Sequence, residues 1–314
     1  MNPLVTIMIP TYLQANVIGR AIESALSQDY QNLEVVVADD NSPDNTEQKI
    51  ALYLDDKRLR YFKNPTNLGR VKNYKNILEK HARGEWVVNL DGDDFYCDNS
   101  FVSQCIKLIV RHPEDEVVFV QGGKIKQKIN KRELSMPSIK NEFQLLDGQE
   151  YFLNFPSTRN FSHMSTLYNR KAALELDFYR MNITSADLES FLRLALHGKV
   201  ILVKKAFGVW VEHEDNASNR VDIDTQERNL AYITSVSAHA HKVGLDGPTL
   251  DSWREKMVLG YYHSLLLKVV ANKNLVGAGS YFFSVFKNKP KIVSRLLTDL
   301  TFIKSIVLAL LKIH

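Results

Sequence analysis

Only two cysteines, Cys97 and Cys105, occur in 314 residues, and their spacing matches no metal-binding pattern. A disulfide framework is thereby excluded, and free thiols in a reducing compartment are expected. No run of about 18 apolar residues occurs, so no membrane-spanning helix is expected. The opening residues, Met1 to Pro10, lack a basic leader and a long apolar core, and they read as a first strand instead of a signal peptide. Neither sign of charge dominates: 40 Lys and Arg against 36 Asp and Glu give a net charge of +4. The basic residues form no stripe interleaved with aromatics, so no nucleic acid partner is expected. A glycine-rich phosphate loop is also missing. The segment after the first strand, Pro10-Thr11-Tyr12-Leu13-Gln14-Ala15-Asn16, contains no GxGxxG, which argues against a dinucleotide dehydrogenase.

What is present is an ordinary globular composition, 45% hydrophobic, arranged as alternating short apolar runs and helical patterns. Leu4 to Ile9, Leu33 to Ala38, Leu59 to Lys63 and Trp86 to Leu90 read as strands. Val17 to Gln28, Thr46 to Leu54 and Val71 to His81 read as the helices between them. This order predicts an α/β fold with a doubly wound, mostly parallel sheet flanked by helices. Further on, Asn99 to Arg111 reads as a helix and Glu116 to Val120 as a strand. Gly122 to Asn141 reads as a hairpin or loop, and Gly148 to Phe155 as a helix. Ser162 to Asn169 is expected to be a strand, followed by a helix from Lys171 and an amphipathic helix over Asp187 to His197. Val200 to Val203 and Phe207 to Val211 give two late strands. From about Asp222 the pattern turns helical (Thr225 to His241, Leu250 to Ala271, Leu275 to Phe286, Ile292 to Ile313). The expected organisation is therefore a domain over 1–221 and a helical C-terminal extension over 222–314.

Three strand ends fall on one edge of such a sheet, where open α/β sheets bind ligands. They are Pro10-Thr11-Tyr12, Asp39-Asp40-Asn41 and Asp91-Gly92-Asp93-Asp94. Three carboxylates in four residues repel one another unless a cation sits among them. Hard oxygen donors beside a glycine suit Mg²⁺ or Mn²⁺, shared with substrate phosphates. The plainer reading is an acidic turn after a strand. A nucleotide would place its base and ribose at the first two strand ends and its phosphates at the third.

Taken together, the ordered motifs resemble the family 2 inverting glycosyltransferases of the GT-A fold, of the type that assembles bacterial glycans. They are Val5 to Tyr12, Ala21 to Gln28, Leu33 to Ser42, Asn67 to Tyr74 and Gly84 to Asp94. They span about the first 100 residues, with looser similarity to about residue 220. The resemblance implies a metal-dependent transferase that moves one sugar from a nucleotide diphosphate-sugar, a UDP-sugar by preference, to a hydroxyl of a glycan or lipid-linked glycan. It implies that Pro10, Thr11, Tyr12, Asp39, Asp40, Asn67, Gly69 and Asn73 border the nucleotide. Asp91, Gly92 and Asp93 match the DxD segment, with Asp93 or Asp94 nearest the metal and His213 close to it. Asp187 matches the base that deprotonates the acceptor, although Ala186 stands where the family has an acid. Glu189 is the alternative base, and His163 matches a position on the acceptor side. For Asp39, helix capping and turn formation is the competing reading, and Asp187 can equally be a charge at a helix start.

The QxxRW motif of processive synthases is absent, which implies one sugar per encounter. A sugar nucleotidyltransferase would carry a glycine-rich basic loop after the first strand, and a catalytically silent nucleotide-sugar-binding scaffold remains a second alternative. Residues 287–314 carry Lys287, Lys289, Lys291, Arg295, Lys304 and Lys312 against Asp299 alone, on an apolar stripe. Such a helix can lie on an anionic membrane surface, giving a cytoplasmic protein peripheral to the inner face of the cytoplasmic membrane. It can equally pack on preceding helices or on another copy of the chain in a homo-oligomer.

Overall fold

Val5–Thr11 (β1) is buried along its whole length, as a continuous apolar run in a parallel sheet must be. It pairs in parallel with Leu33–Asp39 (β2) on one side and Trp86–Asn89 (β4) on the other, and β2 pairs in parallel with Leu59–Lys63 (β3). The crossovers are Ile18–Leu26 (α1), Thr46–Ala51 (α2) and Arg70–Asn76 (α3). In α1 the buried residues Ile18, Ala21, Ile22 and Ala25 follow helical spacing and pack on the sheet. This computed structural model describes residues 2–158, 160–213, 216, 223–271, 287, 290–299 and 303–304.

Beyond β4, antiparallel strands enter the sheet. Phe95–Tyr96 (β5) and Phe101–Val110 (α4) lead to Val117–Lys128 (β6), then Lys131–Ser135 (β7) and Phe143–Asp147 (β8). Gly148–Thr158 (α5), Thr166–Asn169 (β9), Arg170–Glu175 (α6), Ala186–Ala195 (α7) and Lys199–Val211 (β10) complete this half. The order is β3-β2-β1-β4-β9-β6-β10-β5, with β7 on β6 and β8 on β10. β9 runs antiparallel between β4 and β6, which closes one sheet over both halves.

Several boundaries differ from the sequence expectation. The last turn of the helix expected over Val71 to His81 is a π turn, Ile77–His81, in which Ala82 donates to the Ile77 carbonyl. Residues 162–165, expected as strand, turn through a short 3-10 helix, His163–Ser165, before β9 begins. The two late strands are one bulged strand, because β10 keeps pairing with β6 across its register shifts. Residues 122–135 form a hairpin, with β6 continuing to Lys128 before β7. β8 has no counterpart in the sequence expectation; it is defined by its antiparallel register against β10, a partner more than 50 residues further along the chain.

The chain divides into two compact units, Met1–His213 and Glu214–His314. In the second, Ile223–Asn229 (α8), Ala231–Lys242 (α9), Gly247–Ala271 (α10) and a later helix, Pro290–Thr298, are described. Tyr261 and Tyr262 of α10 donate to Gln226 and Glu227 of α8. The helix expected over Leu275 to Phe286, and most of that over Ile292 to Ile313, lie outside the described residues. Among the described residues, no helix is long and apolar enough to cross a membrane.

Phe191 anchors α7 in the first unit, where its ring meets those of Phe119, Phe161, Tyr168 and Phe178 at centroid distances of 4.9 to 5.8 Å. Phe191→Ala should cost about 3–5 kcal/mol of stability, because a tightly packed aromatic cluster cannot refill the space. Denaturant unfolding followed by circular dichroism measures this, and a loss within the scatter of a surface substitution would contradict it.

Candidate functional site

β4 ends where a tight turn begins, and Asp94 N–H closes that turn on the Asp91 carbonyl at 3.0 Å. Gly92 sits inside it; a Cβ there would lie 2.3 Å from Gln14 Oε1, so a larger residue would have to displace the Gln14 side chain. Asp91, Asp93 and Asp94 are thereby gathered so that one carboxylate oxygen from each lies within 4.8 Å of the others. Burial, then the Asp91 charge, raises the Asp93 carboxyl, against a hydrogen bond from His213. Burial and its two neighbouring carboxylates push Asp94 well above the usual range. Hard oxygen donors that repel one another in a half-buried turn fit a divalent cation, and His213 Nε2 reaches Asp93 Oδ2 at 2.8 Å. Asp94 also accepts the Val211 N–H at 2.8 Å, which fastens the cluster to the end of β10. From α1, Arg20 donates to the Asp93 carbonyl at 2.9 Å and lies over the Phe95 ring.

Asp91 leads away from this cluster. Its Oδ1 accepts from Tyr74 at 2.5 Å, and its Oδ2 pairs with His163 Nε2 at 3.1 Å. The other ring nitrogen of His163 lies 3.0 Å from Asp187 Oδ2. One imidazole therefore joins the acidic turn to the predicted base. Burial works against the charged imidazole, but the carboxylates on both sides prevail and push His163 up to about 10. Burial likewise opposes ionisation of Asp91, yet the His163 charge and the His163 and Tyr74 hydrogen bonds bring it down to about 2. Asp187 is lowered despite burial by His163, by Arg70 and by the Leu188 N–H, which donates to its Oδ1 at 2.8 Å. Arg70 also donates to the carbonyls of Ile183 and Thr184 and lies over the Tyr74 ring, so the segment before α7 is held to α3.

The expected nucleotide-side residues fall into two groups. Asp39 and Asp40 are 0% and 3% exposed, and Asn73 is 2% exposed. Asp39 accepts from Ser42 and Tyr61. Asp40 accepts from Asn64, Leu68 N–H and Gly69 N–H, and Asn73 donates to the Ala38 carbonyl. Asp39 orders the turn after β2, while Asp40 and Asn73 order the loop after β3. Pro10 and Thr11 end β1 in the interior, with the Thr11 hydroxyl donating to Gln14. Tyr12 and Asn67 are exposed beside them, and Gly69 takes φ +85°, which favours glycine. Glu189 requires a correction. It is fully buried in α7, with Arg193 at 2.8 Å and Arg180 at 2.9 Å, and offers no accessible oxygen on the acceptor side. Its work is to neutralise two arginines within the packing of α7. The sequence reading assigned no role to Tyr74, Arg70 or Arg20. Tyr74 and Arg70 flank Asn73 in a stretch already singled out, but helical spacing alone gives no sign that either faces Asp91.

A sequence model described as glycosyl transferase family 2 matches residues 6–176. The chain is 28% identical over 243 residues to chondroitin synthase of Pasteurella multocida, covering 77% of this chain and 24% of that protein. It therefore spans about a quarter of the synthase's length. The structure of S. aureus TarS (residues 1–349) in complex with UDP-GlcNAc superposes with a TM-score of 0.64 at 19% identity, covering 98% of this chain and 79% of that one. A mannosyltransferase from Pyrobaculum calidifontis, in complex with GDP-Man and Mn²⁺, superposes with a TM-score of 0.56 at 18% identity, covering 99% and 87%.

Linkage fixes how the bridge responds to pH in the metal-free protein. The raised His163 contributes stability that is whole below about 6.5 and is lost as pH rises through about 10. The lowered Asp91 contributes stability that is present above about 4 and is lost as pH falls through about 2. An NMR titration should therefore find the His163 ring still protonated on both nitrogens at pH 8. A ring that deprotonates near pH 6.5 would contradict the bridge.

Proposed function

Because this chain belongs to glycosyl transferase family 2, we propose that it moves one sugar, with inversion, from a nucleoside diphosphate-sugar to a hydroxyl of a glycan or lipid-linked glycan. The observation that carries this reading is the Asp91–His163–Asp187 bridge, which sets the predicted base beside the acidic turn. TarS binding of UDP and UDP-GlcNAc favours a UDP-sugar as the donor. The nucleoside would lie against Tyr12, Asn67 and Gly69, on an edge stiffened by Asp39, Asp40 and Asn73.

In the transfer, the acceptor oxygen bonds to the anomeric carbon as the bond from that carbon to the diphosphate oxygen breaks. The electron pair leaves with the nucleoside diphosphate, and the hydroxyl proton passes to Asp187. A lowered carboxyl is a weak base towards a resting alcohol. It suffices here because the hydroxyl becomes strongly acidic only as its bond to carbon forms. His163 and the Leu188 N–H each hold one Asp187 oxygen, which fixes the carboxylate before the acceptor arrives. Asp93 and Asp94, with Asp91 and His213 beside them, would hold Mg²⁺ or Mn²⁺, which when bound supplies positive charge against the leaving diphosphate. A catalytically silent nucleotide-sugar-binding module is the rival reading, and release of free nucleotide separates the two.

Asp187→Asn should lower transfer by about 10²–10⁴-fold while donor affinity, measured by calorimetry, stays at the parental value. Retained transfer would remove Asp187 as the base. Thorough chelation should abolish turnover, with Mg²⁺ or Mn²⁺ restoring it. Because Asp93 and Asp94 are raised, cation binding should release protons and strengthen as pH rises. Calorimetry in two buffers of different ionisation enthalpy reads that release. Full activity after chelation would defeat the metal's role.

A further inference from the structure

On the face of the sheet that carries His163, two lysines flank one indole. Lys124 and Lys126 alternate along β6, and the β10 register sets Gly208 opposite Lys124 and Trp210 opposite Lys126. A Cβ on Gly208 would meet Met164 Sδ at 2.9 Å, so this face is the one that His163–Ser165 covers. Lys124 Nζ lies 5.3 Å and Lys126 Nζ 5.8 Å from the Trp210 ring centroid. Lys124 also donates to the Phe161 carbonyl at 3.2 Å, two residues before His163. Val211, which follows Trp210, is the residue that donates to Asp94. The three side chains thus border the site on the β6–β10 flank, across β4 and β9 from the β1–β2 edge.

Among the described residues, no carboxylate forms an ion pair with Lys124 or Lys126. Glu133, opposite Lys126 on β7, is taken by Lys131, and Glu212 by Lys128. Burial and the Lys126 charge lower Lys124 to about 8, against the attraction of Asp94, Asp187 and Asp91. Two ammonium groups held over one ring repel each other, and an incoming anion relieves that repulsion. A partly exposed indole also presents a flat apolar face suited to a sugar ring.

We propose that Lys124, Trp210 and Lys126 form a binding platform for an acceptor saccharide that carries an acidic group. The sugar ring lies on the indole and the two ammonium groups meet the carboxylate or phosphate. The word acceptor rests on the transferase reading above; the affinity for an acidic saccharide does not.

Trp210 provides the readout, since Trp86 and Trp253 are 4% and 2% exposed. The full chain is titrated with trigalacturonate, with its carboxyl-reduced trisaccharide and with glucose 6-phosphate while tryptophan fluorescence is followed. A saturable change with at least one anion is expected, about tenfold tighter than with the neutral trisaccharide. The change should vanish in Trp210→Phe. Lys124→Met and Lys126→Met should each raise Kd by about tenfold. Lys126 lies on a partly exposed stretch of strand, so its variant stands if Lys124→Met fails to fold. A response to carboxylate alone or to phosphate alone identifies the source of the charge. Equal affinity for the neutral trisaccharide, no saturable response to either anion, a signal that persists in Trp210→Phe, or an unchanged Kd in Lys126→Met overturns the platform. Donor hydrolysis in the same preparation keeps the two readings apart. Hydrolysis without anion binding overturns the platform alone, and anion binding without hydrolysis overturns the transferase reading alone.

Discussion

The imidazolium of His163 sits between two partly buried carboxylates that would otherwise repel each other. It pairs with Asp91 on one nitrogen and with Asp187 on the other, at 3.1 and 3.0 Å. Each carboxylate has a second support on its remaining oxygen, Tyr74 for Asp91 and the Leu188 N–H for Asp187. Removing the ring would leave two desolvated anions without their shared cation, a costly state inside a protein. One titratable side chain, carried on a single 3-10 turn, therefore links the turn after β4 directly to the start of α7.

That link explains much of the surrounding architecture. Arg70 holds the carbonyls before α7 and adds positive charge towards both Asp91 and Asp187. Glu189, one turn into α7, is locked by Arg180 and Arg193, so the helix bearing Asp187 is fixed from behind as well. On the other flank, Val211 N–H and His213 tie Asp94 and Asp93 to the end of β10. The acidic turn is thus clamped from both halves of the sheet. A site that gathers charge needs such clamping, because the gathered groups push one another apart.

The carboxyl edge of β1 and β2 obeys a different rule. Asp39 and Asp40 accept, and Asn73 donates, hydrogen bonds within their own chain, and the groups left exposed come from Tyr12 and from the loop after β3. Acidic residues at strand ends can serve a ligand indirectly, by giving a short loop one conformation before anything binds. The hydrogen bonds explain what each does in this chain.

Much of this was legible in the sequence. Apolar runs of four to seven residues separated by helical spacing could only build a parallel sheet with crossover helices, and the acids after β2 and β4 could only fall on its carboxyl edge. Asp187 was legible as an acid opening a helix. Period-2 and period-3.6 patterns report which residues are buried within one element, but not which element lies opposite. For that reason β8, the single bulged β10 and the burial of Glu189 were not readable, since each depends on a partner far along the chain. By itself the sequence determined the order of elements through β4 and the acidic strand ends. Only the tertiary structure decided that His163 would stand between Asp91 and Asp187, because residues 91, 163 and 187 meet through the antiparallel insertion of β9, a long-range pairing that no local pattern encodes.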